Sequence, residues 1–160
     1  MLSKEYLQSL FDYRDGELYW KITKSQKTKA GNKFGCPDKY GYQVGSIDYK
    51  VYKAHRLIFT LFHGYLPKEV DHVNGDKTDN RIENLRAVTN SQNQYNKCVQ
   101  KNNTSGCKNV SWDQSISKWV VRVSFDKTQR YIGSFTDLKF ADLVAQEARY
   151  KYHGVFARHK

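Results

Sequence analysis

Asp71 and His72 stand side by side at the head of a segment, EVDHVNGDKTDNRIENLRAVTNSQNQYNK, that is unlike the rest of the chain. Five of the 16 acidic residues fall between positions 69 and 83, although the whole sequence carries a formal net charge of +11. Phosphate binding alone would oppose that concentration of acid, and a bound cation is the simplest way to reconcile the two. Asp71 offers a hard anionic oxygen, and His72 offers an imidazole, the side chain that exchanges protons near neutral pH. An asparagine on a following helix offers a second, uncharged oxygen. These groups suffice to hydrolyse a phosphodiester. A calcium loop of the EF-hand type is excluded, because Val73 occupies the third position and Gly75 arrives one place early. A merely structural loop pinned by Asn80, Asn84 and Arg86 would explain the asparagines but not the basic surroundings.

The elements that must position these groups are short. Asp71 and His72 end a brief apolar approach, Asn74-Gly75 supplies a tight turn, and LRAV followed by TNSQNQYN reads as a strand entering a helix. Upstream, strand-like runs occur at ELYWKI (17–22), YQVGSI (42–47) and KVYKA (50–54). Between the first two lies KITKSQKTKAGNK, with five lysines and no acid, a solvated loop that can also lie along phosphates. HRLIFTLFHG (55–64) spaces Leu57, Ile58, Leu61 and Phe62 as the core face of a helix, ended by Gly64 and Pro67. His55 and Arg56 sit at its N-terminal end, where a phosphate can bind.

Composition narrows the partners. The excess of positive charge is spread over both halves, 17 basic against 11 acidic residues in 1–106 and 10 against 5 in 107–160, so nucleic acid is the first partner to consider. No stretch of about 18 apolar residues exists, and acids interrupt the first residues where a secretory core should be apolar, so no membrane role is expected and the cytoplasm is the expected location. Cys36, Cys98 and Cys107 are an odd set without zinc-knuckle spacing and read as reduced thiols. No organic cofactor is called for.

The pattern D-H-x-x-G-x-x-x-x-N-x-x-x-N-L-R-x-x-T-x-x-x-N, running from Asp71 to Asn93, resembles the HNH nucleases with a ββα-metal centre, particularly phage and intron homing enzymes. The preceding A-H-R-L and the Gly64-x-x-Pro67 spacing extend the likeness over residues 40–97. The resemblance implies Asp71 as metal ligand, His72 as general base, Asn84 as the middle asparagine bracing the loop, and Asn93 at the place of the last letter of the motif's name. An amide oxygen at Asn93 suits one Mg²⁺ or Mn²⁺ rather than a softer metal, with Asn96 one turn later as a substitute. The partner implied is double-stranded DNA, cut by a monomer encoded by a phage and acting in its bacterial host. A DNA-binding regulator that keeps the unit only as a scaffold is the alternative reading.

Residues 96–106, NKCVQKNNTSG, lack apolar periodicity and read as a linker, which divides the chain into 1–98 and 99–160. Beyond it, KNVSW, KWVVRVSF (118–125) and QRYIGSF (129–135) alternate as a three-stranded antiparallel sheet. A helix follows from Thr136 as N-cap, with Ala141, Val144, Ala145, Ala148 and Tyr152 on one stripe. This order resembles the Apetala2 or ethylene-response-factor DNA-binding domain, whose sheet enters the major groove. Period-two geometry then turns Trp119, Val121, Val123, Phe125 and Ile132 to the helix. It leaves Arg122, Ser124, Gln129 and Tyr131 for DNA, with Lys108, Ser111 and Asp113 beside them. The expected whole is α+β: an N-terminal HNH ββα-metal unit, then a three-stranded antiparallel sheet packed on one helix.

Overall fold

The computed structural model describes residues 2–26, 28–100 and 102–159, so Lys27 of the basic loop and Lys101 of the expected linker lie outside the described residues. It is a mixed helix and strand structure that divides into two compact units, Met1–Val88 and Thr89–Lys160. The division falls before the helix of the DH-containing motif rather than near residue 98.

The first unit runs α1 (Lys4–Leu10), β1 (Phe11–Arg14), β2 (Glu17–Trp20), β3 (Cys36–Pro37), β4 (Gln43–Ile47), β5 (Lys50–Lys53), α2 (Ala54–His63), β6 (Glu69–His72), a 3₁₀ turn (Ile82–Asn84) and β7 (Leu85–Val88). Strands pair antiparallel as β1 with β2, β3-β4-β5, and β6 with β7. Helix α2 is the hub. Its Leu57, Ile58, Phe59 and Leu61 are buried with Leu7, Leu10, Phe11, Trp20, Phe34, Val70 and Leu85, so one apolar cluster ties α1, β1, β2, β6 and β7 to it. The stripe widens toward Phe59, not Phe62, which is 42% exposed and meets Tyr13 edge-on. Gly64 ends α2 with φ +76° and returns its N–H to the Thr60 carbonyl at 2.8 Å, a left-handed turn that a side chain would strain.

The second unit runs α3 (Asn90–Tyr95), β8 (Val110–Asp113), β9 (Lys118–Phe125), β10 (Thr128–Phe135), α4 (Leu138–His153) and a 3₁₀ turn (Gly154–Phe156). A full capping box starts α3: the Thr89 hydroxyl accepts from the Gln92 N–H, and the Gln92 side chain accepts from the Thr89 N–H. Its far end is tied down within the same unit, where the Tyr95 ring stacks on His153 with centroids 3.8 Å apart.

The three strands pair in the order β10-β9-β8, all antiparallel. Ala141 and Ala145 of α4 pack on Val110 and Val121, with Trp119, Ile132, Phe135 and Leu138 around them. A bulge between Tyr131 and Gly133 shifts the register of β10. Small residues let α4 lie close to the sheet, which explains the alanine stripe.

Two polar residues share that stripe. Arg149 is fully buried and donates to the Lys108 carbonyl, while His153 donates from Nε2 to the Ser124 carbonyl at 2.8 Å. Helix α4 starts one residue later than its sequence suggests: Asp137, not Thr136, is the N-cap, accepting from the Phe140 N–H. A lost N-cap typically costs about 1 kcal/mol. Asp137→Ala should therefore lower the urea midpoint of unfolding by that equivalent, and Thr136→Ala should leave it nearly unchanged.

Candidate active site

The site is built on the β6–β7 hairpin of the first unit. Register places Asp71 opposite Arg86 and His72 opposite Leu85, so Asp71 and Arg86 are cross-strand neighbours. Arg86 donates to Asp71 Oδ2 from Nε at 3.1 Å and from Nη2 at 2.9 Å. Both side chains are largely buried, and the guanidinium holds the carboxylate at the strand end.

The loop between the strands is closed by asparagines. Asn84 Oδ1 accepts from the Asn74 N–H at 3.0 Å, and Asn84 Nδ2 donates to Asn74 Oδ1 at 3.0 Å and to the Asp79 carbonyl at 2.7 Å. Gly75, with φ +74°, folds back so that its N–H reaches the His72 carbonyl at 2.9 Å.

The acids of this loop are occupied by the loop itself. Asp76 Oδ1 accepts from the Thr78 N–H and hydroxyl, and Asp79 is gripped by the Arg81 guanidinium on both oxygens, which pulls its carboxyl down to about 2. The concentration of acid in the sequence is thus not a shared cation cage. Among the described residues, no group of three or more His, Cys, Asp or Glu side chains converges.

His72 is nearly enclosed, and its Nε2 lies 2.9 Å from Asn80 Oδ1. An amide oxygen only accepts, so Nε2 carries the proton and the lone pair of the neutral ring is on Nδ1. Asn80 is itself buried, and its N–H reaches the Thr78 carbonyl at 3.1 Å. His55 meets the His72 ring edge-on at 4.8 Å, and Tyr42 lies 5.3 Å from His55 and 6.2 Å from His72.

Several expected DNA-facing residues are placed otherwise. His55 is turned inward against His72 and Tyr42 instead of toward a phosphate, because its helix position faces the core. Arg56 donates to the carbonyls of Pro67 and Lys68, each at 3.1 Å, bracing the loop after α2. Lys108 is also engaged internally: its ammonium donates to the Tyr95 and Lys97 carbonyls, each at 2.6 Å, and burial lowers its pKa to about 8.

Ser111, Ser124, Gln129 and Tyr131 are exposed, and Arg122 is half-buried. They share one sheet face by register, Tyr131 opposite Arg122 and Gln129 opposite Ser124. Val120, on the same face by alternation, is fully buried. Asn93 stands on α3, partly buried, and Asn96 caps that helix and is buried. Both belong to the second unit. All three cysteines are free thiols.

Residues 52–95 match the family model for HNH endonuclease. The chain is also 30% identical over 114 residues to Protein 3.8 of Escherichia phage T7, an alignment covering 69% of this chain and 92% of that protein. The chain belongs to the family of Protein 3.8. It is 35% identical over 95 residues to Uncharacterized HNH endonuclease L560 of Acanthamoeba polyphaga mimivirus, covering 58% of this chain and 46% of L560. No solved structure matches. This member of the family thus carries an HNH endonuclease domain, the mark of a nuclease acting on DNA, and such nucleases generally use a divalent metal. Among the described residues no helix is long and apolar enough to cross a membrane.

The residues that sequence patterns missed are Asn80 as the partner of His72, Arg86 as the partner of Asp71, and Tyr42 and His55 as the wall behind the imidazole. The A-H-R-L signature marks His55, but only its helix phase could show that it points inward.

Burial, and then the neighbouring His72, depress the His55 imidazole from its ordinary 6.5 to about 3. The unfolded chain takes up this proton near 6.5 and the folded chain only near 3, so stability is fully present above 6.5 and falls as pH drops toward 3. The loss is up to about 1.4 kcal/mol per pH unit. Urea unfolding of the wild type should weaken between pH 7.5 and pH 5, a span of about 2.5 units, and His55→Gln should flatten that dependence. An equally steep loss in the variant would assign the acid sensitivity to another group.

Proposed function

We propose that the chain is a divalent-metal-dependent DNA endonuclease of the phage or intron homing type, with His72 as general base. The observation that carries this reading is the His72 imidazole held by Asn80 beside Asp71, inside the segment that matches the HNH model. Neutral His72, protonated on Nε2, takes a proton at Nδ1 from the attacking water. Asn80 holds the ring in that tautomer as its positive charge develops, and Asn84 keeps the loop closed around it. The expected products carry a 5′ phosphate and a 3′ hydroxyl.

The donor set fits a hard cation. One carboxylate, Asp71, with the Asn93 amide assigned by the motif, gives oxygen ligands only, and Mg²⁺ is commonly held by one or two carboxylates with substrate phosphate and water completing its shell. Asp71 would hold Mg²⁺ or Mn²⁺, with Arg86 orienting its carboxylate from the Oδ2 side, and Asn93 is the second ligand that the motif alone implies. When bound, the metal supplies Lewis-acid polarisation of the scissile phosphate and charge stabilisation for the leaving 3′ oxygen.

The functional division we assign is 1–98 for the nuclease and 99–160 for an Apetala2-like reader of duplex DNA, acting as a monomer. The exposed sheet positions Ser111, Ser124, Gln129 and Tyr131, with Arg122 between them, support that role. The phage relative supports action in the cytoplasm of a bacterial host.

The test is cleavage of supercoiled plasmid with mapped ends. His72→Ala should lose about 10² to 10⁴ in rate with DNA affinity unchanged, because proton transfer contributes that much. Asp71→Ala, or chelation of the wild type, should abolish cutting and leave binding, which basic side chains supply. Wild-type nicking in excess EDTA would refute the metal requirement. DNA binding without any cleavage would instead identify a regulator.

A further inference from the structure

We propose that Tyr42, Lys53 and Lys77 form a seat for a backbone phosphate of the DNA strand, next to the scissile one. The proposal rests on the nuclease reading for its choice of anion.

Three separate stretches of the first unit converge here. Tyr42 is fixed by the turn before β4, where Asp38 Oδ1 accepts from the N–H groups of Tyr40 at 2.8 Å and Tyr42 at 2.9 Å. Lys53 ends β5, and Lys77 comes from the loop between β6 and β7. Their ammonium groups lie 3.8 Å and 4.8 Å from the centre of the Tyr42 ring. Lys77 also donates to the Tyr40 carbonyl at 3.1 Å, which ties the two loops together and uses one of its three N–H donors.

Two like charges brought to one ring repel each other, and the ring's negative face offsets this only in part. Among the described residues, neither lysine has a carboxylate within ion-pair distance. Asp38 partly offsets them: against its desolvation, the Tyr42 and Tyr40 N–H groups and then Lys53 and Lys77 hold its carboxyl below the ordinary value, and its Oδ1 is also committed to its own turn. One carboxylate set against two ammonium groups leaves positive charge over for a further anion.

Position identifies the anion. The Tyr42 ring is 6.2 Å from the His72 ring, and phosphates recur along each DNA strand at about 3.4 Å of helix axis. A phosphate on Lys53 and Lys77 is therefore a close neighbour of the scissile one. A cleft lined by Gly41, Gln43 and Thr78, chain neighbours of Tyr42 and Lys77, is also lined by Asn80, the partner of His72, with Glu17 and Lys33. Beside it, exposed Tyr40 with Lys39 4.9 Å from its ring extends the same basic and aromatic surface. Ammonium contacts of this kind are indifferent to base sequence, so the seat sets where the strand lies, not which sequence is chosen.

The test uses the full chain and a short mixed-sequence duplex, with binding measured in EDTA over a series of salt concentrations. Plasmid cleavage in Mg²⁺ is followed in parallel. The K53Q/K77Q double variant should flatten the slope of log affinity against log salt by about 0.9 for each phosphate it no longer neutralises. K53R/K77R should restore the slope. K139Q/K151Q, which removes the same charge from exposed positions on α4, should flatten it less. Tyr42→Leu, checked by thermal unfolding, should weaken binding in the same direction. A wild-type slope in K53Q/K77Q, or an equal change in K139Q/K151Q, overturns the seat. Because binding is read without cleavage, a wild type that fails to cut refutes the nuclease reading alone, while the slope still decides the seat.

Discussion

The hydrogen bond between His72 Nε2 and Asn80 Oδ1 is the interaction on which the chemistry depends, because it decides which nitrogen of a neutral imidazole can accept a proton. Little of it is local. Asn80 reaches the ring only because Asn74 and Asn84 close the loop, and the loop closes only because β6 and β7 pair in a register that sets Asp71 against Arg86. That hairpin sits on α2 through Val70 and Leu85, and α2 in turn supplies His55 to the back of the imidazole. A polar network of this kind is favourable only when every member is satisfied, so loss of one amide should disturb the others.

Charge is arranged around that point by separation of tasks. Asp79 is paired with Arg81 and Asp71 with Arg86, so two of the five acids of this stretch are offset by cations, while Asp76 is hydrogen-bonded to Thr78 within the loop. Lys53 and Lys77, both close to the Tyr42 ring, form no ion pair with a carboxylate among the described residues, although Asp38 feels their charge. Positive charge is thus left over near Tyr42, which suits the proposed holding of DNA beside a site that contains a carboxylate.

Much of this is legible in the sequence, and the parts that are not share a cause. The strands around Asp71 and Leu85, the helix beginning near His55, and the strands of the second unit follow from apolar periodicity and turn residues, which are local signals. The adjacency of Asp71 and His72 is read directly, and the bracing role of Asn84 comes from the resemblance to the HNH motif. The bond from Asn80 to His72 is hidden, since one asparagine among several in an irregular loop has no period to betray its direction. Tyr42 is silent because its partners lie on segments distant in sequence. His55, Arg56 and Lys108 read as solvent-facing from their type, yet each is drawn inward by backbone carbonyls or packing that only the folded chain supplies. The buried stripe of α2 takes Phe59 in place of Phe62 because helix phase is sensitive to a single residue's choice of face.

The most direct measurement is the tautomer of His72, read from ¹⁵N chemical shifts of the imidazole nitrogens in histidine-labelled protein at neutral pH, with His72→Gln used to assign the signals. The expected spectrum shows Nε2 protonated and Nδ1 bare, and Asn80→Ala should shift the population toward a mixture. A ring protonated at Nδ1 with a bare Nε2 would contradict the proposed hydrogen bond and, with it, His72 Nδ1 as the atom that takes the proton.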